Sequence, residues 1–181
     1  VLVEDGIIRR IGSSDALLSE APADAVRVDC GGRTLIPGLN DSHMHFAQFS
    51  ETLNQARIAD VKSIGELIEV CRKFAQDHPQ RVKNGLHALG WNQDYFTDGG
   101  RLPDRHDLDK ISTDYPIVLE RVCGHIVSVN SKLLEILQST GEIDKCKGED
   151  CLTDENGVPN GIFTGNGCNI AKRLIPEFTL E

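Results

Sequence analysis

Two histidines one residue apart, His43 and His45, are the clearest candidates for chemistry in this sequence. In an extended strand alternate side chains point to the same face, so the two imidazoles would share a face, about 6–7 Å apart along the strand. From there they could converge on one metal ion at about 2.0–2.1 Å from each nitrogen. Asp41 has the same parity, and its carboxylate could orient one imidazole ring. A lone His-x-His pair in an exposed strand usually binds nothing, so the pair needs support from its surroundings.

Two stretches around the pair supply that support. Residues 37–45 read Pro-Gly-Leu-Asn-Asp-Ser-His-Met-His, and residues 3–12 read Val-Glu-Asp-Gly-Ile-Ile-Arg-Arg-Ile-Gly. The first resembles the start of the metal-dependent amidohydrolases, whose pattern is Pro-Gly-x-x-Asp-x-His-x-His. The second is similar to the short hairpin, x-Asp-Gly-x-Ile-x-x-Ile-Gly, that opens the same enzymes. The resemblance implies that His43 and His45 are ligands of a divalent metal, with zinc expected first and iron or manganese as alternatives.

Further motifs narrow the resemblance to one branch. Residues 90–92 read Gly-Trp-Asn, residues 102–109 contain Pro-Asp-Arg-His-Asp-Leu-Asp, and residues 124–131 read Gly-His-Ile-Val-Ser-Val-Asn-Ser. They resemble amidohydrolase family 3, in its exoenzyme-regulator-like branch. His125 follows a strand end, where barrel enzymes place working residues, so we predict that it binds a substrate carbonyl or carboxylate. An ordinary loop histidine is the alternative. Trp91 is either a wall of the substrate pocket, which we prefer, or core packing at a strand end.

One position departs from the branch. After Pro-x-Gly-Ile-Phe the branch commonly carries a Glu two residues on, whereas this chain has Thr164 and Gly165 there. If that carboxylate helps to hold the metal or the substrate, this protein has lost it.

The composition excludes some classes of partner. The 181 residues are 39% apolar and 26% charged, which is typical of a globular chain, and the formal net charge of -9 argues against nucleic acid. No apolar run reaches the roughly 18 residues that a membrane span needs. The first residue is Val, and no signal segment is visible, so we expect a cytoplasmic protein whose chain starts inside a longer parent or has been processed. Its six cysteines are then expected to be reduced.

Local patterns predict the elements. Residues 1–12 predict a hairpin, residues 26–30 and 34–36 predict short strands, and residues 48–59 predict a polar loop. A capping box at Ser63 and Glu66 predicts an amphipathic helix that ends by His78-Pro79. Strands follow at 86–92, 117–122 and 158–165, with a helix from Ser131. Strands that alternate with helices indicate βα units and a parallel sheet.

The resemblance implies a fold of the α/β class, a (β/α)8 TIM barrel of which only the first βα units are present. We assign residues 1–37 to part of a small N-terminal β-sandwich and residues 38–181 to the first part of the barrel, with inserted loops. After residue 37 only 144 residues remain, against about 250 for a whole barrel. No second histidine pair follows His125, so the remaining metal ligands are expected elsewhere and no catalytic base is identifiable here.

The predicted function is hydrolysis of a carbon–nitrogen bond other than a peptide bond, in a small-molecule substrate, through a metal-activated water. A deaminase of the same superfamily is one alternative, and a non-catalytic scaffold or regulatory protein on the same fold is another. Barrel enzymes of this kind often pair through helices and sandwich edges, so a homodimer is also allowed.

Overall fold

The structure, a computed structural model, describes residues 1–174 of the chain. These residues form two compact units, Val1–His43 and a second unit that begins at Met44. Residues 175–181 of the predicted barrel portion lie outside the described part. Within the described part, no helix is long and apolar enough to cross a membrane.

The first unit opens with the predicted hairpin. Strand β1 (Leu2–Glu4) pairs antiparallel with β2 (Ile7–Arg10) across the Asp5-Gly6 turn. Helix α1 (Ser14–Glu20) follows, and the Ser13 hydroxyl accepts a hydrogen bond from its first turn. The strands predicted at 26–30 and 34–36 are wrong, because those residues pair with no strand in the described chain and a strand exists only by pairing.

The second unit holds the remaining elements. Its helices are α2 (Phe46–Thr52), α3 (Ile64–Asp77), α4 (Arg105–Asp109), α5 (Ser131–Ser139) and α6 (Gly165–Lys172). Its strands are β3 (Leu86–Trp91), β4 (Ile117–Arg121), β5 (Ile126–Val129), β6 (Cys151–Thr153) and β7 (Pro159–Thr164). Helix α2 replaces much of the loop predicted over 48–59. The polar content that suggested a loop is accommodated there because Ser50 and Thr52 donate to carbonyls of their own helix.

Helix α3 matches its sequence signals closely. The Ser63 hydroxyl accepts from the Glu66 amide at 3.0 Å, and the helix ends at His78 as predicted. The Glu66 carboxylate does not close the predicted capping box. It accepts instead from the backbone N–H of Lys62 at 2.6 Å.

The five strands of this unit form one mixed sheet in the order β3-β4-β5-β7-β6. Only β3 and β4 are parallel, and the other three pairings are antiparallel. The expectation of a parallel sheet is therefore wrong beyond the first pair. For β4–β5 and for β6–β7 the physical reason is the short connection, residues 122–125 and 154–158, because a parallel return needs a crossover of a dozen or more residues.

Two apolar cores cover the two faces of the sheet. Along β4, Ile117 and Leu119 join the core under α3, whereas Val118 joins the core under α5 and α6. This alternation is the period of two that a strand imposes on its side chains. The fold is thus a mixed α/β layer structure, and the ends of β3 and β4 are held between two packed layers.

Candidate functional site

The His-x-His segment lies outside regular strand structure. Asp41, His43 and His45 are exposed, and the Asp41 carboxylate accepts a hydrogen bond from the backbone N–H of His43 at 3.2 Å. His45 immediately precedes α2, with φ -83° and ψ 71°, and its carbonyl accepts from the Phe49 amide at 2.9 Å. That ψ lies outside the extended region, so the parity argument for a shared face does not apply at His45. The ligand roles of the two histidines and the orienting role of Asp41 stay predictions.

The donor chemistry of this segment fits part of a metal site. Two imidazoles and a neighbouring carboxylate are ordinary donors for zinc, but a catalytic zinc usually takes three protein ligands. Among residues 1–174 no group of three or more His, Cys, Asp or Glu side chains is placed to hold a metal ion. The segment can therefore supply two ligands, and the rest of the set is not found in the described chain.

A second polar cluster lies at the carboxyl ends of β3 and β4. The Arg121 guanidinium donates from Nε to Gln93 Oε1 at 2.7 Å and from Nη2 to Asn92 Oδ1 at 2.9 Å. The same Nη2 lies 3.0 Å from the Asp94 carboxylate. With only 16% of its side chain exposed, Arg121 fixes the turn that leaves β3. Its ion-pair partner is Asp94, whereas its neighbour Glu120 faces Lys172 and His87.

Trp91 ends β3 inside the core. Its side chain has no exposed surface, its indole N–H donates to the Leu119 carbonyl at 3.0 Å, and its ring lies 6.4 Å from that of Phe96. This placement corresponds to the core-packing alternative, and the pocket contact proposed for Trp91 stays a prediction.

His125 lies in the turn between β4 and β5 and is exposed. Its backbone N–H lies 3.5 Å from the Cys123 sulfur. Burial would raise the pKa of the Cys123 thiol, but the hydrogen bond and charge of Arg121, with this N–H, hold that pKa below its usual value. Arg121, Cys123 and His125 thus share one turn beside the end of β3, and the substrate contact of His125 stays a prediction.

A buried ion network occupies the opposite face of β4. The Glu120 side chain is 6% exposed, and it accepts from Lys172 at 2.9 Å and lies 3.5 Å from His87 Nε2. Burial alone would raise the pKa of Glu120, but the hydrogen bonds and charges of His87 and Lys172 hold it below its ordinary value. No sequence motif pointed to His87. A Glu that follows Ile117, Val118 and Leu119 in one strand is the signal that could have pointed to this network, since a buried charge needs partners.

The position where the branch carries a Glu is the first residue of α6. Gly165 is exposed, has φ +49°, and follows the last residue of β7. A Cβ built at Gly165 would lie 3.3 Å from Asp150 Oδ1. A carboxylate from another segment therefore already stands next to this position.

A sequence model described as the amidohydrolase family matches residues 27–181. The N-substituted formamide deformylase of Arthrobacter pascens is 23% identical over 172 residues, which are 94% of this chain and 31% of that protein. The exoenzymes regulatory protein AepA of Pectobacterium carotovorum subsp. carotovorum is 27% identical over 168 residues, which are 90% of this chain and 36% of that protein.

A solved structure is similar as well. It is described as an uncharacterized metal-dependent hydrolase from Pyrococcus furiosus, and it is 31% identical with a TM-score of 0.52. The matched region covers 77% of this chain and 25% of the other. The chain spans about a third of the length of the curated relatives it matches.

Proposed function

Because the chain belongs to the amidohydrolase family, we propose that its protein is a metal-dependent hydrolase of a carbon–nitrogen bond other than a peptide bond. The family expected from the motifs around His43 and His45 is confirmed by the match over residues 27–181, and that match carries the proposal. A relative named for deformylation of N-substituted formamides supports the bond type, and a structural neighbour named as a metal-dependent hydrolase supports the metal. The substrate we propose is a small acyl amine.

The proposed roles follow the sequence motifs. His43 and His45 provide two ligands of a divalent metal, zinc first and iron or manganese next, and Asp41 orients the segment through the His43 backbone. When bound, such a metal lowers the pKa of a water molecule to about 7 and polarises the scissile carbonyl. His125 is proposed to contact the substrate near the carboxyl ends of β3 and β4, and Trp91 is proposed to support that contact surface from the core. The complete protein is proposed to be a cytoplasmic TIM-barrel enzyme with a β-sandwich, divided near residue 37, that can form a homodimer.

Arg121 is proposed to keep this end of the sheet in place. It ties the residues after β3 to the last residue of β4 through two side-chain acceptors and one carboxylate. Charged hydrogen bonds from two nitrogens of one guanidinium group hold a loop more firmly than a single neutral hydrogen bond does. The chain's own contribution to catalysis would thus be a fixed rim around the substrate.

Elemental analysis of the purified protein tests the metal assignment. We expect near-stoichiometric metal in the wild type and its loss in His43→Ala/His45→Ala. The double variant His78→Ala/His106→Ala is the matched control, because both of its histidines are exposed and lie outside the segment. Retention of metal in the first variant, or absence of metal from the wild type, would contradict the assignment.

Hydrolysis is tested separately with a set of N-formyl and N-acetyl amines. A regulatory scaffold is the second candidate, favoured by Gly165 at the position of the branch's Glu and by the similarity to AepA. The two candidates differ in one result. A protein that holds stoichiometric metal but turns over none of the amines would support the scaffold.

A further inference from the structure

The second unit contains a cavity of about 770 Å³ at the amino ends of β3 and β4. Leu86 and His87 line it from the start of β3, and Val118 lines it from β4. The remaining walls come from the end of α2, the loop before β3 and the last turn of α6. This end of the strand pair is opposite to Trp91 and Arg121, and barrel enzymes place their chemistry at the carboxyl ends. We therefore expect this cavity to have a role other than hydrolysis.

The charge of the lining is opposite to that of the chain. Arg81, Lys172 and Arg173 line the cavity, and among the described residues of the lining Glu51 is the one carboxylate, although the chain as a whole carries -9. Lys172 is paired with Glu120 at 2.9 Å. Within residues 1–174, neither Arg81 nor Arg173 forms an ion pair. Two guanidinium groups thus stand at the cavity without a carboxylate partner in the described part of the chain.

The cavity also has a buried polar residue with unused hydrogen-bonding capacity. Gln55 is 8% exposed, and its Nε2 lies 3.4 Å from His87 Nδ1. Its Oε1 is buried, and no donor for it is found in the described part of the chain. Buried amide oxygens are nearly always hydrogen-bonded, so this residue has the character of a binding-site group.

We propose that this cavity binds a small organic anion. Arg81 and Arg173 hold its carboxylate or phosphate group, because guanidinium groups bind both kinds of oxyanion in a bidentate manner. Gln55 Oε1, an acceptor, takes a hydrogen bond from an N–H or O–H group of the ligand beside its anionic group. Lys172 neutralises the Glu120 carboxylate, so that it does not repel the ligand. The ligand binds without metal and without being cleaved, so the proposal is independent of the hydrolase activity.

Isothermal titration of the purified protein with inorganic phosphate and, separately, with N-acetylglycine tests this proposal at low ionic strength. We expect at least one probe to bind, and the tighter one identifies the oxyanion as phosphate or carboxylate. Arg81→Gln/Arg173→Gln should weaken binding by about tenfold or more, as expected for lost charged hydrogen bonds. Added salt should also weaken it, because the guanidinium groups are exposed and can be screened.

Arg27→Gln/Arg33→Gln is the matched control. It removes the same charge from exposed positions of the first unit, and it should change the affinity by less than about twofold. Circular dichroism checks that each variant is folded. The metal content of each variant is measured as well, so that failure of this proposal can be distinguished from failure of the hydrolase proposal. Failure of both probes to bind the wild type, or an equal loss in both double variants, would overturn the proposal.

Discussion

Replacing Lys172 by methionine should destabilise the protein by about 2 kcal/mol at neutral pH. The change removes the ammonium group 2.9 Å from Glu120, whose side chain is only 6% exposed. Breaking a fully buried ion pair costs about 3–5 kcal/mol, because one charge is left without its partner. The loss here is smaller because 31% of the Lys172 side chain is exposed and His87 remains 3.5 Å from the carboxylate.

The size of this loss should depend on pH. Burial would raise the pKa of Glu120, but His87 and Lys172 hold it below the value of about 4.3 found in an unfolded chain. A carboxylate with a lowered pKa stabilises the folded state above about pH 4.3, and the stabilisation disappears as the pH falls through the folded-state pKa. In Lys172→Met only His87 still counteracts the rise that burial causes in the pKa of Glu120. Protonation of Glu120 at low pH therefore removes more destabilisation from the variant than from the wild type. The difference between the two proteins should therefore be largest near pH 7 and shrink below about pH 4.

Urea unfolding followed by the fluorescence of Trp91, the chain's one tryptophan, measures this difference in the core that surrounds β3. Lys73→Met is the control, since Lys73 forms an exposed pair with Asp77 at 3.0 Å. Exposed pairs of this kind contribute less than about 0.5 kcal/mol. If Lys172→Met costs no more than the control, or costs the same at about pH 3 as at pH 7, the account of the network is refuted.

Two further substitutions test contacts made by residues packed against the sheet, and both are measured by the same urea unfolding. Asn130→Asp should cost about 3 kcal/mol, because the buried Asn130 side chain donates to two backbone carbonyls at 2.9 Å each and an aspartate cannot donate. A loss below about 1 kcal/mol would contradict that reading. Gly161→Ala should cost at least about 3 kcal/mol, because its Cβ would lie 2.5 Å from the carbonyl oxygen of Val129. Gly157→Ala, with a similar positive φ but open space, should cost about 1 kcal/mol, and equal losses would exclude the steric explanation.

The parts of the fold that the sequence predicted are those with local signals. The Asp5-Gly6 hairpin, the Ser63 cap of α3 and the start of α5 at Ser131 each depend on residues a few positions apart. The order β5-β7-β6 has no such signal, although the Asn156-Gly157 turn between β6 and β7 is a local one. Gly124 and His125 lie in the turn between β4 and β5, and the sequence did not show that β5 returns antiparallel to β4.

The candidate site likewise contains some residues that local sequence signals identify and others that they do not. His43 and His45 could be proposed as metal ligands because the two histidines lie only two positions apart in the sequence. The two polar networks could not, because Arg121 and Gln93 are 28 residues apart and Glu120 and Lys172 are 52 residues apart. Which carboxylate meets which cation is decided by the packing of α6 and of the turn after β3, and strand alternation alone only places Glu120 and Arg121 on opposite faces.

Gly165→Glu tests whether the departure from the branch at this position matters for metal. The residue has φ +49°, so any side chain there costs about 1 kcal/mol of backbone strain. Its Cβ would lie 3.3 Å from Asp150 Oδ1, so a glutamate would also be repelled by that carboxylate. Gly165→Gln is the matched control, because it carries the same strain without the charge.

If the carboxylate of the branch supports the metal, the glutamate variant should retain more of its metal than the glutamine variant during dialysis against a chelator, although it is the less stable of the two. The gain would come from a charged donor added to the neutral imidazoles of His43 and His45, a third ligand that the described chain does not supply. Elemental analysis of both variants at equal protein concentration measures it. Equal metal content would mean that Asp150 or the rest of the protein already provides the supporting carboxylate. Gly165 would then not be the reason for any loss of activity.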